Sequence, residues 1–174
     1  MKKPRILLVA LLLLTIIFTS SVAYASADAS RNFIATLSGA AERPDPRDTN
    51  ARGVAHFKLS EDGTELEYKL IVANIENVTA AHIHCGGPED VGGVGVTLFS
   101  GGAPGGGRFD GVLAEGVITA PDAGNTCGWE TLDDVVAAML SGDAYVNVHT
   151  NDGVAPPNTG PGDFPGGEIR GQIR

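Results

Sequence analysis

The 174-residue chain has four histidines, and three of them fall in two short segments with strand periodicity. In Ala81-His82-Ile83-His84-Cys85, a two-residue period puts both imidazoles on one face and Ile83 on the other. In Tyr145-Val146-Asn147-Val148-His149 the valines form the apolar face, so His149 shares the other face with Tyr145 and Asn147. With the apolar faces turned to a core, all three histidines are expected on the opposite, wetter face. If the two strands are neighbours, three imidazoles converge. Imidazole nitrogen suits copper or zinc at about 2.0–2.1 Å, and three ligands with an open position are common in reactive sites. A shared ion requires those nitrogens to lie within roughly 4 Å of one another. The alternative is a set of hydrogen-bonded structural histidines, because an H-x-H pair also arises in ordinary surface strands. His56, in Ala55-His56-Phe57, reads as a solitary strand-surface residue.

Other groups of reactive residues carry less chemistry. Cys85 and Cys127 are the two cysteines, and one intramolecular pairing is open to them. In an exported chain a disulfide is expected, closing a loop of about 40 residues and stabilising the fold by roughly 4 kcal/mol. Thiolate ligation is the competing use, but each side offers a single cysteine. Asp152, Asp163 and Glu168 are oxygen donors for calcium or a solvated acidic loop, and their spacing matches no EF-hand. Glu168 and Arg170 are expected to form a sheet-surface ion pair worth under ~1 kcal/mol. No serine sits in a G-x-S-x-G context. Gly105-Gly106-Gly107 is followed by no Lys-Ser/Thr, so it reads as a mobile hairpin tip and not a phosphate loop.

Several elements must position these residues. Lys2, Lys3 and Arg5, an apolar run from Ile6 to Phe18 and Ala23-Tyr24-Ala25 have the parts of a secretory signal over residues 1–25. The apolar run is shorter than the ~20 residues a spanning helix needs, and an uncleaved anchor is the alternative. Residues 26–31 are then a short extension and 32–174 a single domain. Its strands are expected at Phe33–Leu37, Gly53–Ser60, Thr64–Ile71, Ala80–Cys85 (with Val72–Val78 leading towards it), Val94–Phe99, Phe109–Ile118, Ala144–Thr150 and Glu168–Arg174. Glu61-Asp62-Gly63 is a hairpin turn. Leu132, Val135, Val136, Met139 and Leu140 repeat at helical spacing between Thr131 and Gly142. The fold class is mainly β, a Greek-key-like β-sandwich or flattened barrel with one short helix.

Three ordered segments resemble the CHRD domain first named from chordin. They are Ala81-His82-Ile83-His84-Cys85-Gly86, Gly142-Asp143-Ala144-Tyr145-Val146-Asn147-Val148-His149-Thr150 and Gly167-Glu168-Ile169-Arg170-Gly171-Gln172-Ile173. Leu37-Ser38-Gly39-Ala40, the proline-bearing loop after it and Gly53-Val54-Ala55 fit the same pattern. The resemblance runs from about Asn32 to Arg174, and it implies an extracytoplasmic β domain with a binding or structural role. The H-x-H and V-x-H strands also resemble the copper ligands of the copper/zinc superoxide dismutase β-barrel. That likeness implies His82, His84 and His149 as copper ligands. This chain has no histidine in the long loop to bridge to zinc, so it does not imply dismutation.

The formal charge of −9 becomes about −12 without Lys2, Lys3 and Arg5. An acidic domain without basic clusters repels phosphate backbones, so nucleic acid is excluded as a partner class. The expectation is an exported domain of the cell envelope or extracellular space. It would bind an extracellular protein or surface ligand without defined catalysis and with no membrane span in the mature chain. The alternative is a mononuclear copper or zinc protein, redox-active or simply carrying the metal, on His82, His84 and His149.

Overall fold

Alternation of apolar and polar residues along short segments builds eight strands in this computed structural model, which describes residues 31–174. The expected signal segment, with its expected cleavage site, and most of the expected extension lie outside the described residues. Strand β1 spans Asn32–Ser38 and buries Phe33, Ala35 and Leu37 on one face. β2 is Arg52–Leu59, β3 is Leu66–Glu76, β4 is Val78–Cys85, β5 is Val94–Phe99 and β6 is Arg108–Ile118. Helix α1, Leu132–Ser141, precedes β7 (Ala144–Thr150) and the short β8 (Ile169–Gln172).

Local chemistry marks the β2–β3 turn and both ends of α1 where the sequence indicates. Between β2 and β3, Gly63 takes φ +75°, a left-handed turn position that favours glycine. The Ser60 hydroxyl there accepts the amides of Thr64 and Glu65 at 3.1 and 3.0 Å. Thr131 and Asp134 form a reciprocal capping box at the start of α1, and Gly142 closes the helix at φ +78°. Leu132, Val135 and Met139 are buried, whereas Leu140 is 49 % exposed. The helical stripe is therefore one residue narrower than its spacing suggests.

The strands form one antiparallel sheet in the order β5-β4-β7-β8-β1-β2-β3-β6. The non-sequential pairs β4–β7, β8–β1 and β3–β6 carry the Greek-key-like crossings, and the sheet curls into a nearly closed barrel. Of the two expected architectures, the barrel is the one present. Leu37, Leu66, Leu70, Ile75, Ile83, Met139, Ile169 and Ile173 fill its interior. Near the seam, the Tyr68 hydroxyl of β3 donates to the Leu98 carbonyl of β5 at 2.8 Å.

The seam corrects one expectation. Gly101–Gly107 is no hairpin tip, because β5 and β6 pair with β4 and β3 and not with each other. The segment is a connection between the two end strands of the sheet. Its amides reach the Thr79 carbonyl from Gly102 (3.2 Å), the Asn151 carbonyl from Gly105 (2.9 Å) and Asn77 Oδ1 from Gly107 (2.9 Å).

Cys85 and Cys127 are disulfide-bonded, with Cα atoms 5.6 Å apart and a sequence separation of 42. On the chain-entropy model a loop of that length is worth about 4 kcal/mol. A Cys85→Ala/Cys127→Ala variant is expected to lose that amount in urea unfolding, and a loss below ~1 kcal/mol would show the bond to be mechanically idle. Among the described residues no helix is long and apolar enough to cross a membrane.

Candidate metal centre

Strands β4 and β7 are hydrogen-bonded neighbours, in a register that sets His82 opposite Asn147, His84 opposite Tyr145 and Ala80 opposite His149. Ala81, Ile83, Val146 and Val148 of the same strands are buried in the core. The strand period then turns His82, His84 and His149 together to the outer face. Their ring centroids are 5.0–5.6 Å apart, and one nitrogen from each ring lies within 4.8 Å of the others. That is slightly wider than the roughly 4 Å expected of three nitrogens sharing a tetrahedral ion.

The outer face is not wet, contrary to the expectation from strand alternation. Two loops, Gly86–Gly93 and Asn151–Gly167, supply partners above it. His84 is only 7 % exposed, while His82 and His149 are half-buried. His84 Nδ1 lies 3.1 Å from the Gly92 carbonyl, and His149 Nδ1 lies 3.0 Å from the Pro165 carbonyl. A carbonyl only accepts, so in both rings Nδ1 carries the proton and Nε2 keeps its lone pair. Three nitrogens are buried without a hydrogen-bond partner: His82 Nδ1, His84 Nε2 and His149 Nε2. Each such orphan costs about 1–3 kcal/mol, so three in one place call for a common partner.

Electrostatics favour neutral, ligand-ready rings. Burial, reinforced by the neighbouring His82 and Arg170, pushes His84 down to about 4. Burial and the adjacent histidines push His149 down to about 4 as well. Burial also lowers His82, partly offset by the Asp122 carboxylate. Protons therefore do not compete for these nitrogens at neutral pH.

Around the triad lies a buried polar layer that residue types did not announce. Tyr145, 2 % exposed, stacks on the His84 ring at 5.0 Å and 12°. The Arg170 guanidinium lies 3.5 Å from the centre of the Tyr145 ring and donates to the carbonyls of Asp90 (2.6 Å) and Gly87 (2.7 Å). Glu42, 1 % exposed, accepts a 3.4 Å bond from the Asn147 amide. Burial raises its carboxyl to about 7, despite Arg170 and Arg47 nearby. Glu42 sits in the proline-bearing loop, where no periodicity points to it.

Glu168 and Arg170 do not form the expected surface ion pair. Both are buried and bind elsewhere. Glu168 accepts from Thr49 Oγ1 (2.6 Å), Thr150 Oγ1 (2.7 Å) and the Gly162 amide (2.9 Å), which ties the long loop to the barrel. Asp163 accepts from the Thr159 amide and hydroxyl at 3.0 Å, and Asp152 from the Val154 amide at 2.8 Å. These three carboxylates organise the loop; they are not simply solvated. His56 is exposed on β2 and apart from the cluster, as expected.

Fold and cluster together define a small β-barrel domain with a three-histidine centre under two loops. The chain belongs to the CHRD domain family, which it matches over residues 33–173. Membership is consistent with a binding or structural module. No curated protein and no solved structure matches the chain, and the expected likeness to copper/zinc superoxide dismutase is not shown.

Proposed function

We propose that this protein is an exported CHRD-domain module of the cell envelope or extracellular space that holds one copper or zinc ion on His82, His84 and His149. One observation carries the metal reading. Three imidazoles from two strands bring one nitrogen each within 4.8 Å of the others, and each ring keeps a buried nitrogen without a hydrogen-bond partner. Hydrogen-bonded structural histidines would have spent those nitrogens on protein partners, and here only the opposite nitrogens of His84 and His149 are so spent. Carbonyl acceptors behind two of the rings are the outer-shell arrangement that fixes ligand orientation at metal sites. Three nitrogen ligands leave a position open for a water or a donor from a partner. Export is supported by the signal-like residues 1–25 and agrees with the Cys85–Cys127 disulfide.

The test is metal content. Mature protein incubated with copper(II) or zinc(II) and desalted is expected to retain one equivalent by elemental analysis. Retention of neither metal sinks the reading and leaves a metal-free binding module.

A further inference from the structure

The side of His84 that faces away from the cluster is held by a closed circuit of contacts. His84 Nδ1–H donates to the Gly92 carbonyl at 3.1 Å, and the Gly92 amide donates to the Tyr145 hydroxyl at 3.0 Å. The Tyr145 ring then stacks back on the His84 ring with only 12° between planes. Arg170 covers the opposite face of Tyr145 and grips the same loop through Gly87 and Asp90. Gly92 itself admits no side chain, because a Cβ there would overlap the Cys85 carbonyl. The peptide groups on either side of Gly92 are therefore pressed against the strand, one acting on His84 and the other on Tyr145.

We propose that Tyr145, backed by Arg170, is a positioning residue that fixes the tautomer and ring plane of His84 through Gly92. The phenol is two hydrogen bonds from the imidazole and also in van der Waals register with it. Removing the hydroxyl frees the Gly92 amide and loosens the peptide on which the His84 tautomer depends. Removing the guanidinium releases the Gly86–Gly93 loop at two carbonyls. His149 has its own carbonyl, Pro165, on the other loop, so it is outside the circuit. The consequence for affinity rests on the metal reading above; the consequence for the tautomer does not. Loss of an outer-shell partner typically lowers metal affinity 10–100-fold.

The experiment uses the metal-free mature protein and long-range proton–nitrogen correlation spectra of its imidazoles, followed by copper(II) titration against a competing chelator. Wild type is expected to show His84 as the Nδ1–H tautomer. Tyr145→Phe, which keeps the ring, and Arg170→Gln are each expected to mix in the Nε2–H form at His84 while His149 is unchanged. Copper affinity should drop about 10–100-fold in both. Wild-type His84 shifts in both variants would overturn the proposal, as would equal disturbance of His149, which marks a general loosening of the fold. If wild type binds no copper, the metal reading fails and the tautomer measurement still decides the role of Tyr145.

Discussion

A His82→Ala/His84→Ala variant is expected to lose bound copper or zinc altogether while keeping its barrel and disulfide. Two of three nitrogen donors disappear, and His149 alone offers one lone pair to an ion that needs three or four ligands. The drop should exceed about 100-fold, the upper end of what losing an outer-shell partner costs. Fold is expected to survive because the apolar partners Ala81 and Ile83, which anchor β4 in the core, are untouched. Truncation also removes two partnerless buried nitrogens, so metal-free stability should fall little or rise. The readouts are chelator competition for affinity and near-ultraviolet circular dichroism for fold. Unchanged stoichiometric binding in this variant would move the ion elsewhere on the protein.

The same variant separates metal binding from any role of the module in contacting a partner. Saturating metal at 100 times its dissociation constant stabilises the native state by about 2.7 kcal/mol. A partner that needs only the barrel surface should bind both forms alike, whereas one that supplies the open coordination position should require the histidines.

How far the sequence discloses this arrangement depends on which physical signal each part uses. The strands at Phe33–Leu37 and Ala80–Cys85 and the helix after Thr131 are written in periodicity and caps, and they occur where those signals put them. Period two also places His82 and His84 on one face. Their meeting with His149 is not local information: it follows from β4 pairing with β7 across some 60 residues of chain. The covered state of that face was illegible for a different reason. Gly86–Gly93 and Asn151–Gly167 have no periodicity, and they are docked by Arg170 and Glu168, types that are rarely buried unless paired. At Gly101–Gly107 the glycine content marks a turn without saying which strands it joins.

Acidification from pH 7 to 4.5 is expected to destabilise the metal-free protein, and Glu42→Gln is expected to steepen the loss. His84 and His149 have folded values near 4 against about 6.5 unfolded. Between those values the unfolded chain binds more protons, so this stability is complete above pH 6.5 and disappears as pH falls through 4. At about 1.4 kcal/mol per unit, each mostly buried ring makes acidification cost roughly 2–3 kcal/mol, and His82 adds in the same direction. Glu42 acts oppositely. Its carboxyl is raised to about 7 from an ordinary 4.5, so its contribution is complete below pH 4.5 and is lost as pH rises through 7. Two strongly shifted imidazoles outweigh one carboxyl of similar shift, which leaves a net fall of about 2–4 kcal/mol on acidification. Glutamine at position 42 cannot ionise, so Glu42→Gln should be about 1–3 kcal/mol more stable than wild type at pH 8 and near wild type at pH 4.5. Urea unfolding at pH 4.5, 5.5, 6.5 and 8 with chelator present measures both curves. A wild-type protein that gains stability between pH 6.5 and 4.5 would show that the three rings are solvated and not held as buried neutral ligands.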